Sequence, residues 1–265
     1  MSLEIRELSL RFGGLIALNR VSLEADDGEL VAIVGPNGAG KTALLNCING
    51  VYRPAAGRIV LDGRDITQVP VDKIALARVG RAFQHAELFP HMTVTENLLI
   101  GRHMLMRTGI FSGAFYFGHA QREEVEQRKH IERIIDFFEL YRYRDASAAS
   151  LPYGVQKLVG VARALALEPK LLLLDEPSTG LMREEKESFA RFLLRIRHEL
   201  KLSMLWVEHD MQMVTDLADR IVVLNQGEVI ANGLPDQVRT SPEVIKAYLG
   251  ADAAVDPLTT VCQFE

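Results

Sequence analysis

The sequence has few cysteines, no long hydrophobic run and no export signal at its start. Only two of its 265 residues are cysteines, Cys47 and Cys262, too few for a disulfide framework and without the spacing of a metal site. No apolar stretch approaches the roughly 18 residues that a membrane-spanning helix needs, and the charged start Met1–Glu7 lacks the hydrophobic segment of an export signal. We therefore predict a cytoplasmic chain that does not itself cross a bilayer.

The sequence also lacks an excess of basic residues. Its 30 lysines and arginines are outnumbered by 35 aspartates and glutamates, which gives a formal net charge of −5. Nucleic-acid binding depends on basic residues that neutralise phosphates, so we expect no nucleic-acid partner. With 48% hydrophobic residues, the chain has enough apolar material for one large domain or for a core with a subdomain.

A glycine-rich segment is the strongest chemical signal. Gly35 to Thr42 read Gly-Pro-Asn-Gly-Ala-Gly-Lys-Thr, after the apolar run Leu30–Val34 and before the helix-like run Ala43–Ile48. Glycine lets backbone N–H groups approach a polyphosphate, and a helix N-terminus adds partial positive charge. This placement predicts a nucleotide phosphate loop rather than a plain glycine turn, with Lys41 at the terminal phosphates and Thr42 on Mg²⁺. The predicted contacts are Gly35, Asn37, Gly38, Ala39, Gly40, Lys41, Thr42 and Ala43.

Two adjacent acids follow a second apolar run. Leu171–Leu174 precede Asp175 and Glu176, and open α/β sheets bind their ligands at the carboxyl ends of strands. We predict that Asp175 orients Mg²⁺ through its water shell and that Glu176 polarises the water that attacks the γ-phosphate of ATP. The alternative is that the two acids form a solvated strand end or a helix cap.

The order of the elements predicts an α/β fold. Residues 3–35 and 57–63 have the patterns of strands with glycine turns, which indicates an antiparallel β subdomain around the phosphate loop. A capping-box pattern at Thr93–Glu96 opens a mainly helical stretch, and short buried strands then alternate with helices. We predict a phosphate-loop nucleotide-binding core with the β subdomain at 1–84 and 156–250, a helical insertion at 85–155, and a tail without an interpretable motif at 251–265.

From about residue 3 to residue 250 the chain resembles the ATP-binding cassette family, because several motifs occur in the order found there. The resemblance implies that Gln84 lies in the glutamine loop and contacts Mg²⁺ or the attacking water. It implies that His209 is the switch histidine at the γ-phosphate and that Phe12 stacks on adenine. The predicted catalytic residues are therefore Glu176, His209 and Gln84, and the predicted metal ligands are Thr42, Gln84 and Asp175.

Residues Leu151–Gln156 occupy the place of the family's signature loop, within the predicted helical insertion. In the family this loop binds the ATP that is held by a second chain. The resemblance therefore implies two ATPase subunits, as a homodimer or a heterodimer, with ATP and Mg²⁺ as cofactors. Tyr153 and Gly154 are the predicted contacts of the signature loop with nucleotide.

Four positions depart from the family's pattern. Pro152 stands where a serine is usual, and proline can neither donate its N–H nor supply a hydroxyl. Val155 stands where a glutamine is usual, Ala43 replaces a second hydroxyl residue at the end of the phosphate loop, and Met182 replaces an acid beyond Glu176. These departures concern α-phosphate binding and coupling between subunits, whereas the residues of the hydrolytic chemistry are all present.

Within the family, the chain resembles the ATPase subunits of importers for branched-chain amino acids. The supporting stretches are Arg11–Leu15, Phe83–Phe89, Thr108–Gly113, Pro152–Gly154 and Ala247–Gly250. The resemblance implies transmembrane permease subunits as partners at the cytoplasmic face of the cell membrane, with a solute-binding protein acting indirectly. ATPase subunits of urea or other small-amide importers look similar. A soluble cassette ATPase without a membrane partner and a nucleotide sensor without catalysis are further alternatives.

Overall fold

The structure is a computed structural model that describes residues 2–84, 87–105 and 119–252. The chain forms two compact units, the first made of Met1–Val71 with Arg197–Glu265 and the second of Asp72–Ile196. Three stretches named above lie outside the described residues: His85 and Ala86 after the predicted glutamine, Thr108–Gly113, and the tail from residue 253 onward.

The first unit contains an antiparallel sheet. Its strands are β1 Leu3–Phe12, β2 Leu15–Ala25, β4 Ala56–Leu61 and β5 Arg64–Asp65, in the order β2-β1-β4-β5. Phe12 pairs with Leu15 across a two-residue turn of glycines, and Gly13 has the positive φ of 57° that such a tight reversal favours. The predicted antiparallel β subdomain is confirmed.

A second, mainly parallel sheet contains strand β3, Leu30–Val34, between two other strands. It pairs in parallel with β8 Ser203–Val207 and with β9 Arg220–Asn225, and β9 pairs antiparallel with β10 Glu228–Gly233. Every residue of β3 and β8 is buried, as parallel strands covered on both faces require. Because β3 and β8 run side by side in one direction, the segments that come after them leave the sheet at the same edge.

Among the described residues, four helices lie in the first unit. They are α1 Lys41–Ile48, which follows the phosphate loop, α7 Met211–Leu217, α8 Pro235–Arg239 and α9 Pro242–Asp252. Asp210 caps α7, because its side chain accepts a hydrogen bond from the backbone N–H of Met213 at 3.2 Å. The last helix, α9, packs against β10 and α8.

The second unit is built on two parallel strands, β6 Val79–Ala82 and β7 Leu171–Asp175, with Ala82 opposite Leu174. All five residues of β7 are buried. Helices α2 Val71–Leu76, α5 Tyr153–Ala166 and α6 Arg183–Leu200 lie wholly or mostly in this unit. Helix α6 is amphipathic, with Phe189, Phe192, Leu193 and Ile196 buried on one face.

Two longer helices of the second unit lie in the stretch that the sequence predicts to be helical: α3 Val94–Arg102 and α4 His119–Phe137. Short 3₁₀ turns follow at His103–Leu105, Tyr141–Tyr143 and Ala148–Ser150. The capping box is confirmed, since the Glu96 N–H donates to the Thr93 hydroxyl and the Thr93 N–H donates to the Glu96 carboxylate. Within the described part of the chain, no helix is both long enough and apolar enough to span a membrane.

Candidate functional site

The predicted phosphate loop connects β3 to α1 in the first unit, and two of its glycines are sterically required. Gly35 has φ +149°, and a Cβ added there would lie 2.0 Å from the carbonyl oxygen of Leu224. Gly40, the residue before α1, has φ +103°, and an added Cβ would lie 2.6 Å from the carbonyl oxygen of Ala17. The backbone is therefore packed too closely at both positions for any side chain.

Lys41 is held inside this loop. Its side-chain Nζ donates to the carbonyl oxygens of Gly35 at 2.7 Å and Pro36 at 3.0 Å, and the residue is only 5% exposed. A lysine is rarely buried unless its ammonium group has partners. The loop thus folds around a fixed positive charge at the N-terminus of α1, where an anion is also favoured by the helix dipole.

The other predicted loop contacts differ in exposure. Asn37, Gly38 and Thr42 are exposed, Ala43 is half-buried, and Ala39 is buried. Gly38 has φ +80° with open space where a Cβ would lie, so it needs a left-handed backbone but is not crowded. The exposed face of the loop therefore presents backbone groups together with the amide of Asn37 and the hydroxyl of Thr42.

His209 lies just beyond β8, at the sheet edge where the phosphate loop leaves β3. The residue before it, Glu208, is 1% exposed, and its backbone N–H donates to the carbonyl oxygen of Ile33 at 3.3 Å. The Glu208 carboxylate accepts a hydrogen bond from the His209 N–H at 2.9 Å. Glu208 therefore fixes the backbone of the exposed histidine, a role that the sequence analysis did not assign.

Phe12 ends β1 and is 48% exposed. Its ring contacts that of Tyr52 edge-on, with the ring centroids 5.1 Å apart and an interplanar angle of 79°. An exposed aromatic ring that is held in place by a neighbouring ring suits stacking against a planar base. The sequence predicts a role for Phe12 but not for Tyr52, because no pattern connects the end of β1 with the residues after α1.

The C-terminal helix α9 contacts the phosphate loop within the first unit. Burial raises the pKa of the Tyr248 phenol to about 12, and a hydrogen bond from the backbone of Gly35 acts in the opposite direction. The Tyr248 hydroxyl also lies 3.9 Å from the sulfur of Met211 at the start of α7. A cavity of about 590 Å³ lies beside these contacts, lined by residues of the loop, the β9–β10 turn, β10 and α9.

In the second unit, the predicted metal-binding acid ends strand β7. The Asp175 carboxylate accepts a hydrogen bond from Nη2 of Arg81 on the neighbouring strand β6 at 2.7 Å. The two side chains are 8% and 5% exposed, respectively. The Arg81 guanidinium also lies over the ring of Phe83, 4.6 Å from its centroid. The sequence predicted Asp175 but did not assign Arg81.

Glu176 and Gln84 are hydrogen-bonded to each other in this unit. The Gln84 amide donates from Nε2 to Oε2 of Glu176 at 3.0 Å. Glu176 has φ +46°, a left-handed conformation that is uncommon for a residue with a long side chain and is often found at functional sites. Two residues predicted to act on the attacking water are thus brought together by adjacent strand ends.

The predicted signature loop leads into helix α5, where Pro152 occupies the capping position and no side chain caps the helix. Tyr153 is 46% exposed, and its hydroxyl lies 3.5 Å from the carbonyl oxygen of Thr179. Gly154 is buried against Glu185, whose carboxylate would be 2.4 Å from an added Cβ. The same carboxylate accepts a hydrogen bond from the backbone N–H of Met182 at 2.9 Å. Glu185, in the first turn of α6, therefore links the loop before that helix to the start of helix α5.

Lys157 connects helix α5 to the glutamine loop. Its ammonium group donates to the backbone carbonyl of Gln84 and lies 5.4 Å from the ring centroid of Tyr153. The lysine is 3% exposed, so its charge depends on these partners. Within the second unit, the predicted residues Gln84, Tyr153 and Glu176 are thus joined by one set of contacts.

The chain matches two family profiles. The one described as ABC transporter matches residues 18–179, and the one described as branched-chain amino acid ATP-binding cassette transporter matches residues 228–254. Two curated relatives align over 248 residues, 94% of this chain and 97% of their own. Both are high-affinity branched-chain amino acid transport ATP-binding proteins: BraF of Pseudomonas aeruginosa is 41% identical, and LivG of Escherichia coli is 40% identical.

Solved structures share the fold. The ADP conformation of an ATP-binding cassette of an ABC transporter matches with a TM-score of 0.82 at 30% identity, over 94% of this chain and 99% of that one. A dimeric cassette in a post-hydrolysis state bound to ADP and Pi matches with a TM-score of 0.73 at 26% identity, over 88% and 98% of the two chains. The predicted fold class is confirmed.

Proposed function

Because the chain belongs to the ABC transporter family, we propose that it is the ATP-hydrolysing subunit of an importer for branched-chain amino acids. The prediction of a transporter ATPase is confirmed at the level of the family. The cargo rests on the relatives BraF and LivG and on the second profile, which covers the stretch Ala247–Gly250. The single observation that carries the hydrolytic role is the hydrogen bond between Gln84 and Glu176 at the end of β7.

Nucleotide binding begins at the phosphate loop. Its backbone N–H groups and the N-terminus of α1 attract the phosphates, and the Lys41 ammonium group neutralises their charge. Charged phosphate oxygens accept hydrogen bonds more strongly than amide carbonyls, so they draw Lys41 from Gly35 and Pro36. Phe12, with its ring supported by Tyr52, stacks on the adenine.

Hydrolysis depends on Glu176. Its carboxylate polarises the water for attack on the γ-phosphate, and Gln84 holds both that carboxylate and the water in place. His209 contacts the γ-phosphate from a backbone position fixed by Glu208.

The donors predicted for Mg²⁺, Thr42 in the first unit and Gln84 and Asp175 in the second, are of the chemical kind that the ion prefers. A hydroxyl, an amide oxygen and one carboxylate are hard oxygen ligands, and Mg²⁺ usually combines one or two protein carboxylates with phosphates and water. When bound, the ion supplies charge neutralisation to the phosphates. The residues of the chain orient the donors, with Arg81 against Asp175 and Glu176 against Gln84.

The proposed function requires a second ATPase subunit and permease subunits. A solved relative of this family is dimeric in a post-hydrolysis state, and we propose that two ATPase subunits close on ATP, with Tyr153 and Gly154 of one meeting the nucleotide of the other. Closure would pull on transmembrane permease subunits at the cytoplasmic face of the membrane. Hydrolysis would reopen the dimer.

The hydrolytic role is tested with the substitution Glu176→Gln. We expect phosphate release to fall about a hundredfold or more, because the general base is lost, while ATP binding is retained and a closed dimer accumulates. Phosphate release, equilibrium binding of labelled ATP and size-exclusion chromatography measure the three quantities. Glu187→Gln is the matched control, since Glu187 is an exposed acid on α6 paired only weakly with Arg183. Unchanged turnover in Glu176→Gln would refute the role.

The cargo is tested in reconstituted vesicles. The chain is co-expressed with the permease subunits of a branched-chain amino acid importer, and the purified complex is given the matching solute-binding protein and ATP. Uptake of radiolabelled leucine that stops with Glu176→Gln supports the proposal. Uptake of urea but not leucine would favour a small-amide importer, and recovery of the chain without any membrane subunit would favour a soluble cassette ATPase.

A further inference from the structure

The second unit contains a buried ion pair that the nucleotide chemistry does not by itself require. Arg81 donates from Nη2 to Oδ2 of Asp175 at 2.7 Å, and the two side chains are 5% and 8% exposed. They lie on the parallel strands β6 and β7, where Arg81 is opposite Leu173, two residues before Asp175. The pair therefore places a permanent positive charge against the acid predicted to act on Mg²⁺.

The arginine is fixed in orientation as well as in position. Its guanidinium lies over the Phe83 ring, 4.6 Å from the centroid, and stacking of this planar group on an aromatic face restricts its rotation. Burial of both charges is costly unless their geometry is good. The planar, permanently charged guanidinium donates to Asp175 at 2.7 Å, so the Asp175 carboxylate is held toward Arg81.

A second hydrogen bond lies beside the Arg81–Asp175 ion pair. Gln84 follows β6 and donates to Glu176 at 3.0 Å, just as Arg81 on β6 donates to Asp175. Two donors from one strand end thus hold two consecutive acids from the next. The donors differ in charge: the neutral amide leaves the charge of Glu176 intact, whereas the guanidinium compensates that of Asp175.

We propose that Arg81 is a positioning residue for ATP hydrolysis, which orients Asp175 and weakens the attraction of its carboxylate for the divalent cation. This inference rests on the proposed function. An arginine-paired carboxylate competes poorly for direct coordination of a metal, so Asp175 acts through the water around the ion. The cation can then leave with the products rather than remain on the protein.

The proposal predicts a divergence between metal affinity and turnover. Removal of the Arg81 charge leaves the negative charge of Asp175 uncompensated, so the divalent cation binds more tightly. The same change frees the carboxylate to rotate, so hydrolysis slows. A merely structural arginine would lower thermal stability without moving these two quantities in opposite directions.

The experiment uses Mn²⁺ in place of Mg²⁺ as a paramagnetic probe. Binding of Mn²⁺ with ADP is measured by electron paramagnetic resonance, and phosphate release by a coupled assay. For Arg81→Gln we expect Mn²⁺ affinity to rise about threefold or more and kcat to fall about tenfold. Arg102→Gln is the control, because Arg102 is a buried arginine of the same unit paired with Glu168 at 3.0 Å outside the candidate site. It should lower the melting temperature and leave Mn²⁺ affinity unchanged.

Arg81→Lys keeps the charge but loses the planar donor, and it covers the case in which Arg81→Gln does not fold. We expect Mn²⁺ affinity within about twofold of the unsubstituted protein and a clear loss of kcat. The inference would be overturned if Arg81→Lys had the same kcat as the unsubstituted protein. It would also be overturned if Arg81→Gln bound Mn²⁺ with the same affinity as Arg102→Gln. Absence of Mn²⁺–ADP binding in the unsubstituted protein would instead refute the proposed function itself.

Discussion

The first unit holds its key charge with backbone atoms, whereas the second unit holds its key charges with side chains. Lys41 donates to two loop carbonyls. Asp175 and Glu176 accept hydrogen bonds from the side chains of Arg81 and Gln84. A backbone cradle depends on glycine and on close packing, and a side-chain pair depends on the identity of two residues distant in sequence. The two units should therefore respond differently to substitution.

The largest effect is expected where the backbone cradle is crowded. Gly35→Ala would place a Cβ 2.0 Å from the carbonyl oxygen of Leu224, and the strand and loop would have to separate. We expect a loss of stability on the order of 3 kcal/mol or more, together with loss of nucleotide binding. Urea unfolding and binding of labelled ATP measure both.

Gly38→Ala is the matched control in the same loop. Gly38 also has a positive φ, +80°, but an added Cβ would meet nothing within 4 Å. Only the strain of the left-handed conformation remains, at about 1 kcal/mol. Equal loss of stability in the two variants would show that the backbone conformation, rather than the contact with β9, decides the requirement for glycine.

An intermediate effect is expected in the side-chain pair of the second unit. Gln84→Ala removes the donor to Glu176, but Gln84 is exposed, so stability should change by less than about 0.5 kcal/mol. We expect kcat to fall about tenfold because the carboxylate and the water lose a common partner. The measurement is phosphate release beside urea unfolding. A large loss of stability with unchanged kcat would contradict the contrast between the two units.

The smallest effect is expected at the exposed aromatic ring of the first unit. Phe12→Ala removes the surface predicted to stack on adenine, so ATP affinity should fall by about 0.5 to 1.5 kcal/mol, with kcat unchanged. Leu15→Ala is the control, because Leu15 is 68% exposed and pairs with Phe12 across the turn. Titrations with labelled ATP measure the affinity. If Phe12→Ala and Leu15→Ala bind ATP equally well, Phe12 does not belong to the binding site.

The contrast also explains which features the sequence could predict. The strand, loop and helix at Leu30–Ile48 and the capping box at Thr93 are local features, because glycines, apolar periodicity and hydroxyl caps act over a few residues. The acids after Leu174 were predictable for the same reason, since a buried strand delivers the residues at its carboxyl end to the sheet edge.

Long-range side-chain partners were not predictable in this way. Arg81 and Asp175 are 94 residues apart in the sequence, and they meet only because β6 and β7 are neighbours in the sheet. Likewise, nothing local indicates that Glu185 packs on Gly154 or that Tyr248 reaches Gly35. Partner choice depends on strand order, which a single sequence does not reveal.

The contact of Lys41 with its own loop has a consequence for selectivity. The ammonium group has already lost most of its water, so an incoming ligand must replace two carbonyl partners rather than a hydration shell. Anionic oxygens succeed because they add the attraction between opposite charges to the hydrogen bond, which a neutral carbonyl oxygen cannot do. An uncharged nucleoside gains nothing at this cation. The loop therefore favours charged ligands over uncharged ones. We expect adenosine to compete with ATP for binding far less well than ADP does.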